Sequence, residues 1–177
     1  DLIINNDIDP DNLTSELSAQ LMIPPTYHSG IFGIGSKGAF QYIHNCNDAD
    51  VDVFQYLVSD GTATSSFQDS VIIFILNEAP FGEPDFYSVQ NGQTLTVDEL
   101  SGALSNDLDS NSCDVLRVKL VQPPSYHLGS FTLDSTGAFS YIHDGTLTPT
   151  QDYFVYQLSD GEDSAIETDT VYITINN

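Results

Sequence analysis

Apolar and polar side chains alternate in short runs along this sequence, and turn residues separate the runs. In residues 152–158, for example, Phe154, Tyr156 and Leu158 fall on one face of a strand. Asn91-Gly92 lies between two such runs, which is a strong β-hairpin signal. No window shows an apolar stripe with helical period over several turns. The pattern therefore predicts an all-β chain.

The second half of the sequence contains enough alternating runs for a complete β-sandwich. The predicted strands are residues 85–90, 94–100, 115–122, 129–134, 137–142, 152–158 and 167–176. Seven short strands separated by turns are typical of a Greek-key sandwich of immunoglobulin or cadherin type.

The same pattern occurs twice. Residues 24–44, PPTYHSGIFGIGSKGAFQYIH, correspond to residues 123–143, PPSYHLGSFTLDSTGAFSYIH. Further matches relate NNDID at 5–9 to SNDLD at 105–109, VFQYLVSDG at 53–61 to YFVYQLSDG at 153–161, and DSVIIFILN at 69–77 to DTVYITIN at 169–176. An internal repeat over this length indicates two tandem copies of one domain. We predict a first repeat at 1–77, a linker at 78–84 and a second repeat at 85–177.

The first copy lacks counterparts of the two strands predicted between residues 85 and 103. A sandwich without them would have an open strand edge and an exposed core. Three explanations are open: the chain is a fragment of a longer array, another chain donates the missing strand, or residues 78–103 complete the first copy instead of the second. We expect a fragment, because the sequence opens inside a repeat.

The charge of the chain restricts its partners. Three basic residues stand against 26 acidic ones, for a formal net charge of −23. Nucleic acid and anionic membrane surfaces would be repelled by such a chain. No stretch resembles a membrane span or a signal peptide. We therefore expect neither nucleic-acid binding nor membrane insertion.

Acidic residues concentrate in loops that the strand directions bring towards the predicted linker. The candidate ligands are Asp48, Asp50 and Asp52 in the first copy, Asp107, Asp109, Asn111, Asp114 and Asp160 in the second, and Asn77 and Glu78 beside the linker. Calcium takes six to eight hard oxygen ligands, so converging Asp and Asn side chains suit it better than magnesium or zinc. The alternative is that these residues cap turns and interact with solvent.

The two cysteines occupy different positions in the two copies. The same strand directions place Cys46 and Cys113 in loops at the linker end of their domains. An interdomain disulfide between them is one hypothesis, which suits an oxidising extracellular setting. Two free or buried thiols are the other.

Several segments together resemble the cadherin-like repeats of large bacterial surface adhesins. They are Gly102–Asp109, Tyr126–Phe131, Thr136–Tyr141, Ser159-Asp160-Gly161 and Asn77-Glu78-Ala79-Pro80. The resemblance implies an extracellular array that calcium stiffens at its junctions, with neighbouring repeats or neighbouring copies as partners. It implies that Asn106 is a metal ligand together with Asp107 and Asp109, which form a D-x-D element. It also implies that Asn77 and Glu78 are linker ligands. Glu78 departs from the pattern, because these repeats commonly have Asp there.

We therefore expect a calcium-binding extender segment of an extracellular adhesin or surface fibre. The sequence has no nucleophile elbow or Cys–His signature, so we expect no catalytic activity. Two other functions stay open. One is a module that binds a cell-surface glycan or protein, and the other is a fibre subunit assembled by strand complementation.

Overall fold

The computed structural model describes residues 2–47, 49–111 and 113–177. The chain divides into two compact units, Asp1–Leu76 and Asn77–Asn177. Apart from a 3₁₀ turn at Ile3–Asn6, the described residues form strands and loops. The all-β class predicted from the alternating pattern is confirmed.

The second unit contains two sheets. Its strands are β4 (Asp85–Gln90), β5 (Thr94–Val97), β6 (Arg117–Gln122), β7 (Thr132–Leu133), β8 (Phe139–Ile142), β9 (Gln151–Ser159) and β10 (Asp169–Asn176). One sheet has the order β4-β10-β9-β6 and the other the order β5-β8-β7. The first strand, β4, pairs in parallel with the last strand, β10, whereas all other neighbours are antiparallel. These strands correspond to the seven predicted ones, and β5 and β7 are shorter than predicted.

The core of the second unit lies between its two sheets. Inward residues of the long strands, such as Phe154, Val171 and Ile173, are fully buried. Phe139 and Phe154 approach each other edge to face at 5.0 Å between ring centroids. Full burial of such side chains contributes roughly 1.5–3 kcal/mol each, which makes this core the main stabilising element of the unit.

The described residues of the first unit form one sheet and a smaller core. Its strands are β1 (Ser18–Ile23), β2 (Val51–Ser59) and β3 (Asp69–Phe74), in the order β1-β2-β3. The fully buried core cluster consists of Ile4, Leu17, Phe54 and Tyr56.

The difference between the cores follows from the strands β4 and β5. Phe40 of the first unit is 37% exposed, whereas Phe139, at the corresponding position, is 4% exposed. Ile73 is half-buried and its counterpart Ile173 is fully buried. In the described residues of the first unit no strand covers the edge of β3 in the way that β4 covers β10.

Candidate metal centre

A group of three carboxylates lies at one end of the second unit. Asp109 and Asp114 come from the loop before β6, and Asp160 comes from the turn after β9. Each offers one oxygen, and these oxygens all lie within 4.8 Å of one another. The strand directions place the two loops at the same end of the sandwich, as the sequence predicts.

Asp109 and Asp160 are fixed by different sets of donors. One oxygen of Asp109 accepts a hydrogen bond from the backbone N–H of Asn111 at 2.6 Å. Its other oxygen, Oδ2, is buried and has no hydrogen-bond partner. Asp160 is 8% exposed, and its Oδ1 accepts bonds from the backbone N–H groups of Glu162 and Asp163 at 2.8 and 2.6 Å. A buried carboxylate oxygen without a donor normally carries a free-energy penalty unless a cation binds it.

The charges of this group act on one another. Burial and the neighbouring charges of Asp109 and Asp160 raise the pKa of Asp114. Burial would raise the pKa of Asp160 as well, but hydrogen bonds from Asn77 and the backbone outweigh it, so that this pKa is lowered. Three oxygens held together at neutral pH favour a divalent cation with hard oxygen ligands.

The segment before β4 is anchored on the second unit. Asn77 donates from Nδ2 to Oδ2 of Asp160 at 3.0 Å, and the backbone N–H of Glu78 donates to Oδ1 of Asn111 at 2.9 Å. Phe81 and Leu108 exchange both backbone hydrogen bonds, at 2.8 and 2.9 Å. The side chain of Glu78 is exposed and contributes only its backbone to this anchoring.

A second cluster of carboxylates lies beneath this segment in the interior of the second unit. Asp107 is 7% exposed, and its oxygens accept bonds from the backbone N–H of Glu83 at 2.9 Å and the hydroxyl of Tyr156 at 3.1 Å. Asp85, 5% exposed, lies on the other side of the same hydroxyl at 3.5 Å. Burial raises the pKa of Asp107 to about 6, and burial together with the charge of Asp107 raises that of Asp85 to about 7.

Asn77 and Asn111 contact the three-carboxylate group, whereas other predicted ligands lie elsewhere. Asn106 donates to the backbone carbonyls of Glu83 and Pro84, at 3.0 and 3.3 Å, and is exposed. Asp107 accepts a hydrogen bond from Tyr156 and is not one of the three carboxylates, and the ligand role that the resemblance implies for it stays a prediction. Asp48 lies outside the described residues.

Asp52 has a structural role in the first unit. It is 3% exposed and accepts hydrogen bonds from the backbone N–H groups of Thr26 and Tyr27 and from the hydroxyl of Tyr42, at 2.9, 2.7 and 3.0 Å. Although burial works against it, these bonds lower the pKa of Asp52. The carboxylate of Asp52 is thus hydrogen-bonded by nearby residues of its own unit, and the side chain of Asp50 is exposed. The ligand roles predicted for both residues stay predictions.

Sequence reasoning missed a corresponding carboxylate group in the first unit. Asp9, Asp11 and Asp60 also bring one oxygen each within 4.8 Å of the others. The repeat contained the signal, because Asp9 aligns with Asp109 and Asp60 aligns with Asp160.

Comparisons with known proteins find one matching family and several similar structures. The family model described as "Bacterial cadherin-like domain" matches residues 77–177. Similar crystal structures include chicken VE-cadherin EC1-2, with 17% identity over 90% of this chain and 85% of that chain and a TM-score of 0.41. Drosophila N-cadherin EC1-4 has 16% identity over 91% of this chain and 41% of that chain, with a TM-score of 0.42. No curated protein sequence matches this chain.

Domains of the matching family are typical of extracellular adhesion and extender modules that occur in tandem arrays, and they are typically non-enzymatic. In the part of the chain that the structure describes, no helix has the length and apolar character needed to cross a membrane. The family model matches more than half of the chain and includes the whole second unit. The chain belongs to the bacterial cadherin-like domain family.

Proposed function

We propose that this chain is a calcium-binding extender segment of an extracellular adhesin or surface fibre. The observation that carries the proposal is the buried Oδ2 of Asp109, which lacks a hydrogen-bond partner and lies beside the carboxylates of Asp114 and Asp160. A calcium ion takes oxygen ligands and would neutralise the mutual repulsion of the three groups. Cadherin domains generally bind Ca²⁺, which supports the same cation here.

Calcium would also limit the motion of the chain where the two units meet in sequence. Asn77, the first residue of the second unit, follows directly on the last residue of the first. It already contacts Asp160 of the carboxylate group. A cation held by Asp160 would fix Asn77 more firmly and leave fewer free backbone torsions between the units, so the joint would stiffen.

The equivalent position in the first unit is the candidate for a second ion. Asp9, Asp11 and Asp60 occupy the place of the three-carboxylate group there. An extender needs such ions at every junction, so we expect more than one calcium per chain.

The test is a thermal melt of the full chain in calcium and in EGTA, combined with small-angle X-ray scattering. Binding to the folded state at a calcium concentration of about 100 times Kd stabilises it by about 2.7 kcal/mol, so the melting temperature should rise. The distribution of interdomain distances should become narrower when calcium binds. Equal melting and equal scattering curves in calcium and EGTA would contradict the proposal.

Variants assign the effect to the carboxylate group. Asp109→Asn and Asp160→Asn should lose most of the calcium-dependent stabilisation of the second unit. Glu99→Gln, which removes an exposed carboxylate elsewhere in the same unit, is the matched control and should keep it. If all three variants respond to calcium alike, the ion binds at another place.

A further inference from the structure

Three aromatic side chains form a row across the outer face of the second unit. Phe86 of β4, Tyr172 of β10 and Tyr153 of β9 are direct cross-strand partners. The rings of Phe86 and Tyr172 stack at 5.4 Å with an interplanar angle of 14°, and those of Tyr153 and Tyr172 lie 6.4 Å apart. Phe86 is 75% exposed and Tyr153 is 42% exposed. The row is therefore a rigid, solvent-facing apolar strip.

The fold itself does not need this row. Cross-strand aromatic pairs contribute roughly 0.2–1 kcal/mol each to a sheet. The first unit has aliphatic residues at the corresponding positions, with Ile72 in place of Tyr172 and Val53 in place of Tyr153. Both residues lie on the outer face of a sheet with the same strand pairing. The aromatic character is thus specific to the second unit.

A groove lies beside the row, within the second unit. Residues 79–84 form one wall and residues 165–170 the other, and Tyr172 extends the lining. Its volume is about 670 Å³, within the range of about 300–1,000 Å³ that is typical of small-molecule sites. Glu83, Glu167 and Asp169 give it carboxylate oxygens, and threonine hydroxyls add both donors and acceptors.

The charges around the row and the groove indicate what charge a ligand can carry. On the sheet face itself, the outward positions are the even-numbered residues of β4 and β10 and the odd-numbered residues of β9 and β6. None of these outward residues of the described strands is acidic, and two of them, Arg117 and Lys119 of β6, are basic. The residues of the aromatic row itself carry no charge, so an apolar or neutral surface can approach them. The groove carboxylates and the net charge of −23 repel anions.

We propose that the aromatic row and the adjoining groove bind a neutral oligosaccharide. A pyranose ring has an apolar C–H face, which packs on an aromatic ring, and a rim of hydroxyl groups, which donate hydrogen bonds to carboxylates. Phe86 and Tyr172 provide the ring surface, and Glu167 and Asp169 accept from the rim. The site shares no residue with the carboxylate group of the proposed calcium centre. Its ring surface lies on the strands β4, β9 and β10, so the stacking of a sugar on the rings does not require that ion.

The test is a titration of the full chain with neutral hexaoses of glucose, mannose and xylose, chosen after a screen on an array of neutral and acidic glycans. Binding is followed by tyrosine fluorescence, because the chain contains no tryptophan. Phe86→Ala and Tyr172→Ile should each weaken binding at least tenfold. Tyr172→Ile introduces the residue that the first unit tolerates at this position, and far-UV circular dichroism checks that both variants fold.

Phe74→Ala is the matched control. Phe74 is 70% exposed on the outer face of the first unit, so the variant removes a similar ring outside the row. It should bind the sugar like the parent chain, and all results should be the same in EGTA. The proposal is overturned if the array shows no neutral glycan bound, if only acidic glycans bind, or if the row variants and the control weaken binding equally. It is also overturned if the row variants abolish a dimer instead of sugar binding.

Discussion

The buried carboxyl of Asp85 makes the stability of the second unit depend on pH. Its pKa of about 7 in the folded state compares with 3.8 for an unperturbed Asp. Between about pH 4 and pH 7 the folded state therefore binds more protons than the unfolded state, so stability is highest at low pH in this range and falls as the pH rises. The difference between the pKa of Asp85 in the unfolded and the folded state corresponds to a loss of at most about 4 kcal/mol of unfolding free energy as the pH rises through this range.

The perturbation is Asp85→Asn in a chain limited to residues 77–177, the compact unit with the larger core. Asparagine keeps the shape of the side chain but carries no charge at any pH. Asp107 contributes its own pH dependence in the same direction, because its pKa is raised to about 6. In the Asp85→Asn variant, unfolding free energy should therefore fall much less with rising pH, and the fall that is left should come from Asp107.

The assay is urea unfolding at pH 5 and at pH 8 in calcium-free buffer, followed by circular dichroism. The parent unit should lose several kcal/mol of unfolding free energy between the two values, and Asp85→Asn should lose clearly less. Glu99→Gln, at an exposed position, should behave like the parent. Burial does not raise the pKa of Asp85 as described if the parent unit is equally stable at both pH values. The same holds if the unfolding free energy of Asp85→Asn falls between pH 5 and pH 8 as much as that of the parent unit.

Two further predictions concern the backbone and the cysteines. Gly102→Ala should destabilise the second unit by about 2 kcal/mol or more, since a Cβ there would meet the backbone of Gly137. Gly82→Ala should be milder, because a Cβ there would meet the carboxylate ends of Asp169 and Asp107 and no backbone atom. Thermal melts of both variants check this order. The bridge between Cys46 and Cys113 stays a prediction: mass spectrometry after alkylation without reductant should show no labelled thiol, and two labelled thiols would contradict it.

The strands of the second unit could be predicted because each has a simple alternating pattern. Phe154, Tyr156 and Leu158 were assigned to one face from their spacing alone, and all three are buried. The ends of strands were harder to predict. The strand predicted at 94–100 ends at Val97, because the side chain of Asp98 accepts two hydrogen bonds from Ser101 and forms a turn.

The sequence predicts the place of the candidate metal centre and includes its three members in a longer list of candidate ligands, but it does not show which of those candidates come together. The strand directions, which can be predicted from the sequence, bring the loops of Asp109 and Asp160 to the same end of the second unit. Spacing cannot show which carboxylates turn inwards. Asp107 and Asp109 are two positions apart, so strand alternation would place them on the same side. Asp107 nevertheless accepts a hydrogen bond from the hydroxyl of Tyr156, whereas Asp109 lies with Asp114 and Asp160, because the loop before β6 is not a regular strand.

The parallel pairing of β4 with β10 has a mechanical consequence. β4 is the first strand of the second unit and β10 is the last, and in a parallel pair the start of one strand and the end of the other lie at opposite ends of the same ladder. Tension along the chain therefore pulls the two strands past each other. The hydrogen bonds between Asp85–Gln90 and Val171–Asn176 share the load and must break together, instead of opening one after another. A segment built in this way resists extension through its rate of forced unfolding, whatever its equilibrium stability.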